Sequence, residues 1–258
     1  MSIEEEILKL EERIQGLKSR ISAHSPKIKM VQELEEPEDE LPRKKREKFL
    51  FKGYSIVSCA ILHRELNYLK DAGFLDADRI LYTIPGLHEN PLRLRAELKR
   101  QLNNAKRNSG KIIVVYGSGC YIDTRDPFFG IDALLKEEGG EIKRIRVKNC
   151  IDALCSIEER EKIAQGKKVY WLSPGWLEYW KQIFKDWDIG KANETFPQND
   201  KAILLDGVDF FDEYSRRYPE RVLEFSDWMR LSIEPYKISL ERVKKLLLDV
   251  IAPIEERG

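Results

Sequence analysis

In the first 22 residues the apolar positions advance in alternating steps of four and three. They are Ile3, Ile7, Leu10, Ile14, Leu17 and Ile21, with Glu, Lys and Arg in most of the places between. That spacing is a heptad seam on one face of a helix. It covers fewer than three heptads, too short for a free coiled coil. Ala23 to Pro26 form a break. A second helical stretch follows, with Ile28, Val31, Leu34 and Leu41 on one side and interruptions expected at Pro37 and Pro42. Residues 1–48 therefore read as a helical hairpin or arm. Two uses stay open: packing on its own body, or dimerising and gripping a partner.

From Phe49 the texture changes to short apolar runs separated by amphipathic stretches. Tyr54–Cys59, Arg79–Ile84, Lys111–Tyr116, Ile142–Val147, Val169–Leu172 and Ala202–Leu205 read as strands, with a further strand at Ser232–Ile238. The clearest is Ile112-Ile113-Val114-Val115, a continuous apolar run expected of an inner parallel strand. Helices are expected over Ile61–Gly73, from Pro91 towards Gly110, at 129–137, over Ile151–Ala164, through Leu177–Phe184 and at Leu240–Ile251. Strands alternating with helices predict an α/β fold with a mostly parallel sheet and helices on both faces, occupying 49–258.

Composition narrows the function classes. The chain has 258 residues, 42% hydrophobic and 35% charged, with 45 basic residues balancing 45 acidic ones. Zero net charge gives no global field for nucleic acid or anionic membranes. The basic run Lys44-Lys45-Arg46-Glu47-Lys48 fits a solvated linker face better than a nucleic-acid contact. The acidic start, Met1-Ser2-Ile3-Glu4-Glu5-Glu6, does not resemble a secretory signal. No apolar run approaches the ~18 residues of a membrane span. A cytoplasmic protein is expected, in which thiols stay reduced.

The chemistry concentrates where strands end. Cys59, Cys120 and Cys150 each follow a run that reads as a buried strand. In a parallel sheet the carboxyl ends share one edge, where such folds bind ligands. His88 follows the second strand, in Ile84-Pro85-Gly86-Leu87-His88. Soft thiolates with one imidazole suit Zn²⁺ or a [4Fe–4S] cluster. Three thiolates leave an open coordination position, and His88 as fourth ligand would close it. Inert core thiols and a reactive thiol pair without metal remain alternatives, since no Cys-x-x-Cys pair is present. Cys155 is expected to be structural.

Other residues of the same rim are candidates with a blander reading beside each. Gly117-Ser118-Gly119 offers amides for an anion or close approach for a cofactor, but position 122 is Ile122, so a dinucleotide fingerprint is a weak match. Trp176 is a candidate cofactor wall after a Pro-Gly turn, whereas Trp171 and Trp180 suit the core. Asp152 is a candidate general acid or base, and Asp123 and Asp126 share that position; capping or solvation is the default for all three. His63 is a candidate orienting group for Cys59, or a residue of a solvated helix face. His24 belongs to the hairpin turn.

Five segments carry a resemblance: Ser58-Cys59-Ala60-Ile61-Leu62-His63-Arg64-Glu65-Leu66, Gly86-Leu87-His88-Glu89-Asn90-Pro91, Tyr116-Gly117-Ser118-Gly119-Cys120, Asn149-Cys150-Ile151, and Tyr170-Trp171-Leu172-Ser173-Pro174-Gly175-Trp176-Leu177-Glu178. With them the chain resembles, over about residues 54–250, a numbered domain-of-unknown-function family of methanogenic archaea and anaerobic bacteria. Genes of that family often lie near those for corrinoid-dependent methyltransferases. Its members usually carry His-Asp before the third cysteine, where this chain has Lys148-Asn149. The resemblance implies a fold and a metabolic neighbourhood, not a reaction.

The expectation is a metalloprotein of anaerobic one-carbon, corrinoid or sulfur metabolism, enzyme or accessory factor, with Cys59, Cys120 and Cys150 as ligands. The alternative is a non-catalytic partner or chaperone of a corrinoid protein or methyltransferase, docking through its helical arm.

Overall fold

The computed structural model describes residues 3–20, 28–47 and 50–252. The chain divides into two compact units, residues 1–53 with 66–78, and residues 54–65 with 79–258.

In the first unit, α1 (Ile3–Arg20) and α2 (Ile28–Glu47) pair along their length. Ion pairs Lys44–Glu6 at 2.7 Å and Arg13–Glu36 at 3.5 Å join opposite ends, so the helices run antiparallel. The seam is real: Ile14 is buried while its charged neighbours are exposed. The expected break at Ala23 to Pro26, with His24, and the seam position Ile21 lie outside the described residues. α2 does not break at its prolines; it runs through both Pro37 and Pro42. Each proline removes one backbone donor, and burial of Pro37 puts packing in its place. Phe51 and Phe74 close the rest of this unit, ring centres 5.5 Å apart. Phe51 N–H and Gly53 N–H donate to Asp76 and Asp78 at 3.0 and 3.1 Å.

The second unit holds every strand among the described residues. It starts with β1 (Tyr54–Cys59), and α3 (His63–Asp71) begins in it. There follow β2 (Arg79–Thr83), α4 (Pro91–Lys106), β3 (Lys111–Val115), α5 (Ile131–Glu138) and β4 (Glu141–Arg144). The first sheet has the order β2-β1-β3-β4, all parallel. Its inner strands β1 and β3 are buried almost throughout, which is why they read as unbroken apolar runs. Leu94, Leu98 and Leu102, one turn apart on α4, pack with Ile131 and Leu134 of α5 on Val57, Ile112 and Val114. Each fully buried leucine contributes on the order of 2 kcal/mol.

The remaining elements are α6 (Cys150–Leu154), α7 (Ile157–Ala164), β5 (Val169–Leu172), α8 (Pro174–Ile183), α9 (Ile189–Thr195), β6 (Lys201–Asp206), α10 (Phe210–Arg217), α11 (Pro219–Met229), β7 (Ile233–Lys237) and α12 (Glu241–Ile251). β5, β6 and β7 form a second parallel sheet in that order. The α/β reading stands, with its strands shared between two sheets rather than gathered in one. Aromatic packing dominates here: Trp180 stacks on Phe225 at 5.0 Å, and Phe196 meets Tyr170 edge-on at 4.9 Å.

Three details differ from the expected elements. β4 ends at Arg144, and 145–149 continue as a loop. The helix expected over 151–164 is two helices. Ser156 accepts from Glu159 N–H while Glu159 accepts from Ser156 N–H, a capping box that starts α7 afresh. α10 and α11 fill a stretch without an assigned element. Asp206, at the end of β6, caps α10 from outside by accepting from Phe210 and Phe211 N–H at 3.0 and 2.8 Å. No described helix is long and apolar enough to cross a membrane.

Candidate functional site

The order β2-β1-β3-β4 reverses direction between β1 and β3. A crevice opens at the carboxyl ends of strands flanking such a switch point, and ligands of open α/β sheets bind there. Cys59 is the last residue of β1. Cys120 closes the short 3-10 turn Ser118–Cys120 after β3, and Cys150 is the first residue of α6, after β4. All three line one small cleft with about 210 Å³ of empty space, its open mouth included. The rest of its wall is mostly apolar, including Leu62, Val115, Ile145, Val147 and Ala153, with Tyr116 and Asn149 as polar members.

Backbone contacts bring two of these thiols together. Ser118 N–H and Gly119 N–H donate to Val147 and Lys148 carbonyls at 2.8 and 2.9 Å. The approach is so close that a Cβ on Gly117 would stand 2.2 Å from the Lys148 oxygen. Arg144 clamps the same region. Its Nη1 donates to the carbonyls of Tyr116 and Ile145 at 3.0 and 2.7 Å, while Nε and Nη2 hold Asp132. Gly117 and Gly119 thus serve this close approach, and two of the loop's amides are already engaged.

Burial raises all three thiols. Cys59 is pushed up to about 11, chiefly by desolvation, against hydrogen bonds from Ile61, Tyr116 and Thr83. Cys150 is pushed higher still by burial, then by the nearby thiols of Cys120 and Cys59, with the Trp176 indole working against the rise. Cys120 is raised by burial, opposed by a backbone hydrogen bond with Gly117 and by the Arg144 cation. These mutual effects are a second sign that the sulfurs share one place. Among the described residues, however, no group of three or more His, Cys, Asp or Glu is set as a metal-ligand sphere.

The other candidates stand off the cleft wall. His88 packs against Trp176 with ring centres 5.8 Å apart, and its Nε2 lies 3.7 Å from Glu89. β2 is an edge strand, so the residues after it sit on the far side of β1 from β3. Trp176 packs in the same cluster as Cys150, and its Nε1 is buried with no hydrogen-bond partner among the described residues. Asp152 is buried and ion-paired with Arg160, while its carbonyl accepts from Arg242 at 2.7 Å. His63 is held by the Ala60 carbonyl at 2.8 Å and faces Glu178 at 3.3 Å, neither a solvated residue nor part of the cleft wall. Asp123 and Asp126 accept from backbone N–H groups of their own loop, and Cys155 is buried.

Two functional neighbours were not singled out from the sequence. Thr83 pairs with Cys59 in register, is 1% exposed, and its hydroxyl bonds the Tyr116 hydroxyl. Thr83 thus stands beside Cys59 across the sheet, and Tyr116 lines the same cleft wall as Cys59. The available signal was position: each is at or just past a strand end beside a cysteine-bearing strand.

The family model described as "Protein of unknown function (DUF1638)" matches residues 82–247. The matched range takes in His88, Cys120, Cys150 and Trp176 and begins after Cys59. No curated protein and no solved structure matches the chain. The match spans well over half of the sequence, and the chain belongs to the DUF1638 family, whose function is unknown.

Proposed function

We propose that the cleft binds a soft metal, Zn²⁺ or a [4Fe–4S] cluster, through Cys59, Cys120 and Cys150. The observation that carries this reading is the convergence of three thiols from three strand ends on one cleft. Thiolate sulfur is the donor both groups prefer. Since the sulfurs are not set as a ligand sphere, loading requires rotation about their Cα–Cβ bonds between staggered wells. It also requires loss of protons that burial now holds on, so uptake is favoured by rising pH. His88, turned to Trp176, is not needed as a ligand, which leaves one coordination position for a substrate. When bound, such a metal supplies a Lewis acid able to take up a substrate thiol as thiolate. Tyr116, Thr83 and Trp176 place donors beside the sulfurs, and the apolar wall limits water.

The setting proposed is cytoplasmic, in anaerobic one-carbon, corrinoid or sulfur metabolism, the neighbourhood implied by the resemblance. The test is anaerobic purification of the full chain, with elemental analysis and visible absorbance. About one zinc or four irons per chain is expected, lost on Cys150→Ser. A chain still metal-free after reconstitution with zinc and with iron plus sulfide refutes the proposal.

A second reading is favoured by the α1–α2 pair, which stands in the first unit and exposes Leu8 among charged residues. In it the pair is a docking arm for a corrinoid protein or methyltransferase, or for a second copy of this chain. Deleting residues 1–48 would then abolish complex formation or dimerisation while leaving the thiol cleft intact. Unchanged assembly after deletion rules it out.

A further inference from the structure

Among the described residues, no charged side chain lines the thiol cleft. Its two polar wall residues besides the thiols are already engaged. The Tyr116 hydroxyl is bonded to Thr83. Asn149 Oδ1 accepts from Asp152 N–H at 2.9 Å, so what Asn149 can still offer is an uncharged amide donor. The ionic groups that border the wall in sequence are paired or turned away. Arg144 holds Asp132 and the carbonyls of Tyr116 and Ile145, and Asp152 pairs with Arg160. From 145 to 148 burial alternates: Ile145 and Val147 are buried in the wall, while Arg146 and Lys148 are exposed. A charged group carried into this space would give up its water without gaining a counter-ion. The space is also small. Its 210 Å³, open mouth included, equals the liquid volume of roughly seven waters.

We propose that the substrate of this cleft is a short thiol whose carbon part carries no charge, and that the wall selects it by rejecting ionic and bulky groups. That the substrate is a thiol rests on the metal reading above, because a soft metal takes sulfur. The limits on size and charge rest on the wall alone and hold with or without a metal.

The test delivers alkylthio groups of graded charge and size to the full chain, reduced and stripped of metal by chelator. The reagents are propyl, sulfonatoethyl, trimethylammonioethyl and benzyl methanethiosulfonate. With each, a cysteine thiolate attacks the sulfenyl sulfur, a mixed disulfide forms and methanesulfinate leaves. Labelling of Cys59, Cys120 and Cys150 is followed by peptide mapping, and each rate is divided by that reagent's rate with 2-mercaptoethanol, which removes intrinsic reactivity. The propyl reagent is expected to label the cleft roughly tenfold faster than either charged reagent, and faster than the benzyl reagent. Val147→Ala widens the wall and should admit the benzyl reagent several-fold faster. If that variant loosens the fold, faster labelling of the buried Cys155 reveals it, and the reagent series on the unaltered chain decides. The proposal is overturned if a charged reagent or the benzyl reagent keeps pace with propyl at the cleft cysteines, or if Val147→Ala leaves the benzyl rate unchanged. A chain that takes up no metal yet keeps this selectivity refutes the metal reading and leaves the limits on size and charge standing. A chain that binds metal yet admits charged groups as readily refutes only the limits.

Discussion

Replacing Glu65 by glutamine removes an ionisable group from a place without water. Glu65 is 0% exposed, and neither carboxyl oxygen has a hydrogen-bond partner among the described residues. Burial, and then the nearby Asp206 carboxylate, raise it from its ordinary 4.5 to about 8, against the weaker pull of Arg64. The fold therefore keeps a proton over a pH range in which the unfolded chain has released it. This contribution is fully present below about pH 4.5 and is lost as pH rises through about 8. A full pH step between those limits costs about 1.4 kcal/mol, and because the steps at both ends are partial the loss from pH 5 to pH 8 is about 3.5 kcal/mol. Denaturant unfolding of wild type and Glu65→Gln across that range measures it. The variant should follow a flatter curve, with the gap between the two changing by about 3.5 kcal/mol, a large share of a typical domain's stability. Parallel curves would show that Glu65 ionises normally, and would refute the inference from burial to proton retention.

Two further outcomes follow from backbone geometry. Gly117→Ala puts a methyl group 2.2 Å from the Lys148 oxygen and 2.4 Å from Asn149 N; a loss of about 1–3 kcal/mol is expected in equilibrium unfolding, with faster alkylation of Cys120 and Cys150 as their segments part. Ser156→Ala removes the cap that restarts the chain as α7; about 1 kcal/mol should be lost, seen as a melting-point drop of roughly 2–4 °C, with metal uptake unaffected.

Much of the architecture could be read from residue pattern. The run Ile112–Val115 predicts an inner strand because both faces of β3 are covered. The three cysteines at strand ends predict a shared mouth because parallel strands end on one side, and Cys59, Cys120 and Cys150 do line one cleft. Strand order was not legible, since it depends on which long-range pairings bury most surface. That is why His88 looked equivalent to the cysteines: nothing local marks β2 as an edge strand. Asp152 looked free because its partner, Arg160, lies in the next helix, beyond the break at Cys155. That break itself was legible, since Ser156-Ile157-Glu158-Glu159 carries a capping-box signature that the apolar spacing of 151–164 obscured. The glycine turn showed a need for glycine but not its reason, the Lys148 carbonyl pressed against Gly117 from a distant segment of the chain.

The second sheet ends at β7, and the middle residue of β7 is Pro235. Flanked by the charged Glu234 and Lys237, that border has a gap in its row of donors. A foreign strand trying to extend the sheet would find its ladder cut halfway, so chains can crowd together with little risk of zipping into fibrils along this margin.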